Sequence, residues 1–273
     1  MLRSALLFYK KLRSELEKMG FVINPYDPCV ANKMVNGSQM LAYWHVDDLK
    51  ISHAYHDLVT VFIMKLGKLY GPKMTLSPGT IHDYLGMNMD YESQEGALQV
   101  YLIPCAKKCI NNFPEEIRIT SSSPAGDYLF NIREDNTDRI IPGEQAQHFR
   151  HSGAQLLFLS MRNRPYLQTA VAFLTTHVKQ PDEDIWGKLK RELNYLKGTL
   201  HMKITLTVDN MNTLHLYVDA SYGTHWDCKG HTGMMMTWGK GALMSLLQKQ
   251  KLNGRSSTEA KLIGIDDAIL YIM

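Results

Sequence analysis

The stretch Trp44-His45-Val46-Asp47-Asp48-Leu49-Lys50-Ile51-Ser52 most narrows what this chain can fold into. Two adjacent aspartates divide two short apolar runs, Met40 to Val46 and Leu49 to Ile51. Aspartate is a poor strand residue and a good turn residue. The pattern therefore predicts a β-hairpin with the Asp47-Asp48 pair at its tip. Alternation along a strand puts Tyr43, His45 and Asp47 on one face and Ala42, Trp44 and Val46 on the other. A carboxylate held there on rigid backbone suits a hard cation such as magnesium, which takes oxygen ligands and leaves room for phosphate. The same pair also serves as an ordinary solvated turn. The stretch alone leaves both readings open.

A chain of 273 residues is long enough for one large domain or two ordinary ones. Its 45% hydrophobic and 21% charged content implies a packed core. A net charge of +3 permits a polyanionic partner without requiring one. No apolar run reaches membrane-spanning length, and no signal-peptide pattern opens the chain. Cys29, Cys105, Cys109 and Cys228 are too few for a disulfide framework. The expectation is a reducing intracellular setting, cytoplasm or nucleus, with no membrane.

In chain order, Leu2, Leu6, Tyr9, Leu12, Leu16 and Met19 keep helical spacing over residues 2–19, and Gly20 is a stop. Asn24-Pro25-Tyr26-Asp27-Pro28 reads as a turn. Residues 29–35 and 39–46 read as strands joined at Asn36-Gly37, a hairpin signal. A helix is expected at about 55–66, with Leu58, Phe62 and Leu66 inward. Residues 81–91 and 97–103 suggest a further hairpin around Glu95-Gly96. Residues 120–144 are polar and turn-rich and read as a surface crossing or linker.

Two helices follow. One begins at Pro165, with Leu167, Val171, Leu174 and Val178 as its stripe. The other has Asp182, Glu183 and Asp184 in its first turn, Ile185, Leu189, Leu193 and Leu196 as its stripe, and Gly198 as its stop. Residues 203–208, 213–220, 232–238 and 242–250 read as a short meander, and 257–272 as a helix opened by Ser256. The whole is an α+β chain.

A second pair of acids stands near the C-terminus. The strand Leu214-His215-Leu216-Tyr217-Val218 leads into Asp219, and Glu259 lies in the first turn of the last helix. Ser256-x-x-Glu259 is also a capping box. Leu262, Ile265, Ile269 and Ile272 read as that helix's apolar stripe, and Glu259 extends it toward the sheet. An inward acid needs a partner or a metal, and Asp219 is a candidate partner. Asp266 is expected at a solvated edge. His225, Cys228 and His231 are spaced three apart beside Asp227, but they lack the paired CxxC spacing of zinc sites. Cys105 and Cys109 share one helix face and read as packing residues.

Taken in order, these segments resemble the Pol polyprotein of copia-type retrotransposons. His45-Val46-Asp47-Asp48 is similar to that family's Tyr-Val-Asp-Asp motif, with His45 in place of tyrosine. Tyr84-Leu85-Gly86-Met87 resembles its Phe-Leu-Gly-Ile element, which helps hold the primer. Ser123-Pro124-Ala125, Arg164-Pro165 and Tyr195-Leu196-Lys197-Gly198-Thr199 follow in family order, with Tyr166 where aspartate is usual. Tyr217-Val218-Asp219-Ala220-Ser221, Gly230-His231-Thr232-Gly233 and Ser256-Ser257-Thr258-Glu259-Ala260 resemble the opening of its ribonuclease H domain. The similarity runs along essentially the whole chain.

The resemblance implies three parts: 1–103, the later part of a reverse transcriptase palm; 104–202, a helical thumb and connection; and 203–273, the first part of a ribonuclease-H-like mixed sheet with a helix. It implies magnesium as cofactor, held by Asp47 and Asp48 at one site and by Asp219 and Glu259 at the other. It implies a primer-template or RNA/DNA hybrid and the remainder of the Pol polyprotein as partners. The first palm aspartate and the later ribonuclease H carboxylates have no counterpart in these residues, so a fragment inactive alone is expected. The alternative is a non-catalytic nucleic-acid-binding remnant. His45, Leu85, Gly86, Lys188 and Arg191 are the candidate nucleic-acid contacts, with Lys190 and Lys197 on the same helix as the last two.

Overall fold

The computed structural model describes residues 2–91, 96–132 and 139–272. The chain divides into two compact units, Met1–Gly79 and Thr80–Met273. Among the described residues there are seven α-helices and three antiparallel sheets, the α+β class expected.

The first unit runs α1 (Leu2–Lys18), β1 (Val22–Ile23), β2 (Val30–Val35), β3 (Ser38–His45), β4 (Asp48–Ser52) and α2 (His56–Tyr70). Its sheet has the order β1-β2-β3-β4. Asn36 and Gly37, with φ of 49° and 76°, make the tight turn that sets Val35 opposite Ser38. Alternation along β3 buries Met40, Ala42 and Trp44. They share one core with Leu12 and Leu16 of α1 and Phe62 and Leu66 of α2. Each of the larger side chains contributes about 1.5–3 kcal/mol by leaving water. Phe21 and Phe62 meet at a ring-centroid distance of 5.1 Å in the same core. Tyr43 and His45 lie on the opposite face of β3, as the alternation predicts.

The second unit runs β5 (Ile81–Tyr84), β6 (Met87–Asp90), β7 (Leu98–Tyr101), α3 (Ile103–Asn111), α4 (Gly143–Arg162), α5 (Gln168–Thr175) and α6 (Glu183–Gly198). It continues through β8 (Ile204–Leu206), β9 (His215–Ser221), β10 (His231–Thr237), β11 (Met244–Lys249) and α7 (Ser257–Ile269). The single strand expected over 81–91 is two strands, because Leu85 and Gly86 turn the chain with φ of 53° and 74°. Strands β6 and β7 pair as the expected hairpin; Glu95, expected at its turn, lies outside the described residues.

Strand β8 does not join the meander. It pairs with β7, Leu98 opposite Leu206 and Val100 opposite Ile204. Strands β5, β6, β7 and β8 thus form one sheet, and β11-β10-β9 another. The segments 81–101 and 204–206 therefore belong together, across both of the boundaries expected from sequence. Helix α4 had no sequence signal because its inward face includes Ser152, Gly153 and Ser160 among Ala146, Phe149, Leu156 and Leu159. The stretch 120–144 is no simple linker, since Leu129 and Ile141 are in the core.

Helix α6 organises this unit. Asp182 caps it, its side chain accepting from the Ile185 amide at 2.8 Å. Ile185, Leu189, Leu193 and Leu196 are buried, as expected. Its polar side chains staple the segment that has little regular structure. The Trp186 indole donates to Glu115 (2.6 Å), Lys197 to the Ile117 carbonyl (2.6 Å) and Lys188 to the Asn131 carbonyl (2.6 Å). Arg191 donates to the Ser123 hydroxyl at 3.1 Å, and Lys190 pairs with Glu115.

One member of α6 has no such outlet. Glu192 is fully buried, and neither carboxyl oxygen has a partner among the described residues. Burial pushes its pKa well above the usual carboxylate range. Burial also raises the Cys109 thiol to about 12, with smaller contributions from Cys105 and Glu192. A carboxyl with a raised folded pKa favours folding fully below its unfolded value, about 4.3. That contribution is lost as pH rises toward the folded value. We predict that Glu192→Leu stabilises the unit by about 1–3 kcal/mol at pH 8, with a gap over the parent that narrows toward pH 4.5. Thermal melts at the two pH values measure this; a variant less stable than the parent at pH 8 would contradict it.

Candidate metal-binding carboxylates

The first pair stands where the chain reverses between β3 and β4. His45 is opposite Asp48, so the connection is Val46-Asp47 and Asp48 is already the first residue of β4. Only the first aspartate is at the tip, not the pair. Val46 has a φ of 55°. Left-handed backbone at a β-branched residue costs about 1–2 kcal/mol. The β3–β4 ladder and the burial of Trp44 hold it there. His45, Asp47 and Asp48 are all exposed. Among the described residues, no side chain or amide donates to either carboxylate, and no cation pairs with it. Two hard oxygen donors are thus presented to solvent without a competitor.

The second pair is differently placed. Val218 and Ala220 of β9 turn inward, while Asp219 faces out with 82% of its side chain exposed. The Lys261 ammonium stands 3.5 Å from Asp219 Oδ1, so the start of α7 lies beside the end of β9. Glu259 does not face the sheet. It is exposed and accepts a hydrogen bond from the Arg255 amide, while the Ser256 hydroxyl accepts from the Glu259 amide at 3.2 Å. The Ser256 half of a capping box is present, and the Glu259 carboxylate closes it on the Arg255 amide, one residue before the N-cap, rather than on the Ser256 amide.

The stripe expected for α7 is corrected with it. Ala260, Gly264 and Ala268 face the sheet, and Leu262, Ile265, Ile269 and Ile272 are exposed. A Cβ on Gly264 would come within 3.2 Å of the Ala220 Cβ, so the small residues set how closely α7 approaches. Asp266 is exposed, as expected. Among the described residues, no three His, Cys, Asp or Glu side chains are gathered as a metal would require.

A polar anchor between α7 and the sheet had no sequence reading. Gln250 donates to the Thr232 hydroxyl (3.0 Å) and to the Ala260 carbonyl (2.8 Å), and Thr232 donates to Asp267 (2.9 Å). Gly230 makes room for Gln250, because a Cβ there would sit 2.3 Å from its Oε1. The signal present in the sequence was the i, i+4, i+8 series of small residues at 260, 264 and 268. His225 and His231 do meet, Nε2 to Nδ1 at 3.1 Å, but Cys228 is exposed and completes no trio with them. Cys105 and Cys109 are on α3, and Cys109 is in the core.

Of the candidate nucleic-acid contacts, Leu85 and Gly86 form a partly exposed turn that approaches Phe158 of α4. Lys188 is corrected. It is buried, paired with Asp184 at 3.0 Å and set over the Phe173 ring. Arg191 is half-buried and engaged with Ser123, and Lys190 and Lys197 are likewise committed within the unit.

Comparison with known proteins adds what the geometry lacks. The chain is 25% identical over 279 aligned residues to the putative transposon Ty5-1 protein of Saccharomyces cerevisiae, covering 99% of this chain and 86% of the yeast protein. It is 38% identical over 99 residues to the retrovirus-related Pol polyprotein from transposon RE2 of Arabidopsis thaliana, and 36% identical over 99 residues to that from transposon RE1. Each of these alignments takes in 36% of this chain and 7% of the plant polyprotein. No family model matches the chain, and no solved structure matches it.

The cap gives a stability test of Glu259 that is independent of any metal. We expect Glu259→Ala to cost about 0.5–1 kcal/mol through loss of the Arg255 contact. Glu259→Gln keeps an acceptor oxygen and should stay within about 0.5 kcal/mol of the parent. Urea unfolding of the three proteins decides; an equal loss for both variants would show that the charge, not the cap, matters to the fold.

Proposed function

Because the chain is a relative of the copia-type retrotransposon Pol polyproteins, we propose that its exposed acids are parts of two magnesium-dependent phosphoryl-transfer sites. Asp47 and Asp48 serve RNA-directed DNA synthesis. Asp219 and Glu259 serve hydrolysis of the RNA strand of a hybrid. In this reading the β1–β4 sheet with α1 and α2 is part of a polymerase palm. Helices α4 to α6 are thumb and connection, and β9, β10, β11 and α7 begin a ribonuclease-H-like domain.

One observation carries the reading. Asp47 stands on a two-residue turn whose backbone is strained at Val46, with a carboxylate that is exposed and unpartnered among the described residues. Strain of this kind persists where the surrounding structure enforces it, and it clusters at functional sites. The donor set fits magnesium: carboxylate oxygens, no thiolate, and no ammonium in place. Asp219 and Glu259 fit as donors too, although Lys261 and the helix cap now compete for them.

Bound magnesium would supply charge neutralisation at the transferring phosphate. The protein's own residues orient. The turn fixes Asp47 as the main ligand, β4 carries Asp48 as the second, and His45 presents surface to a primer or template strand; in the second unit, the Leu85-Gly86 turn is a candidate contact of its own. Two carboxylates at each position hold the ion weakly, since magnesium keeps its waters and takes several placed oxygens. The remainder of a Pol polyprotein supplies the rest in this reading, and the 273 residues alone carry little or no activity. The alternative, a non-catalytic nucleic-acid-binding remnant built on α6, is disfavoured because Lys188 is buried and its basic neighbours are engaged.

The test is made with the purified chain. We expect Asp47-dependent magnesium binding, weaker than about 1 mM, lost in Asp47→Asn. We expect primer extension and hybrid cleavage no greater than in Asp47→Asn and Asp219→Asn. Extension clearly above Asp47→Asn would show the first site to be complete and overturn the inactivity. Magnesium binding unchanged in both variants would overturn the carboxylate assignment.

A further inference from the structure

A buried pair of imidazoles stands outside both proposed sites. His225 lies in the connection after β9, and His231 is the first residue of β10, opposite Ser221. His225 Nε2 and His231 Nδ1 are 3.1 Å apart, and both residues are buried. The Phe130 ring is edge-on to His225 at 4.9 Å and tilted against His231 at 5.8 Å. Its other neighbour is Phe173 of α5 at 5.5 Å. The pair therefore joins the stretch around Phe130 to the end of the β9–β10 ladder. No third metal-ligating side chain joins the two rings among the described residues.

At 3.1 Å the two nitrogens share one proton, one ring donating and the other accepting. When one proton is taken up both facing nitrogens carry hydrogens and the neutral hydrogen bond is gone; when a second is taken up two imidazolium charges face each other. We infer that His225 and His231 form a proton-operated clasp, which pins the Phe130 segment to the sheet when neutral and releases it when protonated. The α4 and α6 core of the unit stays folded as the clasp opens.

The surroundings favour the neutral pair. Lys249 of β11 acts on His225 as a like charge. Asp227 would offset it, but its carboxylate is held by Lys249 at 2.8 Å and has Lys229 at 3.8 Å. Across Phe173 stand His177, itself lowered by burial, and Lys188, which is paired with Asp184. No carboxylate forms an ion pair with either clasp ring among the described residues. Burial, then the charge of its partner, lowers His231 to about 4; burial, then Lys249, lowers His225. For groups lowered in the folded state, the stabilisation is whole above the unfolded value of about 6.5. It is lost as pH falls toward about 4, because the open form binds the extra protons.

Hydrogen exchange followed by mass spectrometry at pH 7 to 4.5, corrected for intrinsic rates, tests this. In the parent, opening of residues 128–132 and 222–232 should rise about tenfold per pH unit below about 6.5 for each proton taken up. Residues of α4 and α6 should keep their protection. Trp226, exposed beside His225 with Lys249 over its ring at 5.5 Å, should change its emission over the same range. His231→Leu should lessen the pH dependence of both segments by the proton that His231 no longer takes up, and His225→Gln should do the same for its own proton if the leucine variant does not fold. The clasp is overturned if the two segments open only together with α4 and α6. It is also overturned if their pH dependence is undiminished in a folded variant.

Discussion

A positive charge sealed at the end of α6 sets the frame of the second unit. Arg164 is 1% exposed, and no carboxylate meets it among the described residues. Its two terminal nitrogens instead donate to the Thr199 and Leu200 carbonyls, each at 2.7 Å, and to the Tyr166 hydroxyl at 2.5 Å. Carbonyls at a helix C-terminus carry partial negative charge and lack partners of their own. They offset a desolvation cost that would otherwise amount to several kcal/mol. Tyr166 stands where the resembled family has aspartate. Burial raises its pKa, so it accepts from Arg164 as a neutral phenol. The arrangement ties the turn at Pro165 to the exit of α6, and so directs the chain into β8 against β7.

Helix α6 then shows why charge in a sequence is not the same as charge on a surface. Lys188, Lys190, Arg191 and Lys197 look like a phosphate-binding face when only spacing is known. In the fold each reaches a carbonyl, a hydroxyl or a carboxylate between residues 115 and 131. Long basic side chains can bury their stems and still place a polar head on a backbone group. That is how a segment with little regular structure of its own is held to the core.

The proposed metal ligands have the opposite character. Asp47, Asp48, Asp219 and Glu259 are exposed, and none sits in a preformed cage. The hairpin that carries Asp47 was legible because turn chemistry and strand alternation act over a few residues. The strain at Val46 was not, since positive φ at a β-branched residue contradicts its intrinsic preference and persists only under the constraint of paired strands. Glu259 departs from its helical spacing for a related reason. Spacing favours the large apolar residues of α7 as its inward face, whereas close packing against Ala220 and Thr232 selects Ala260, Gly264 and Ala268.

Many of the local elements are legible in the sequence, although α4 and the break between β5 and β6 are not. The Asn36-Gly37 turn, the Asp182 cap, the stripe of α6 and the alternation of β3 all follow from rules that reach about four residues along the chain. Its ordered motifs also pointed to the family. The tertiary structure alone decided that β8 closes the sheet of β5 to β7 and that Lys188 is buried. It also decided that His225 meets His231 and that Arg164 ends α6. These depend on which surfaces are buried against which across long stretches of chain, and no periodicity within a single segment encodes that choice.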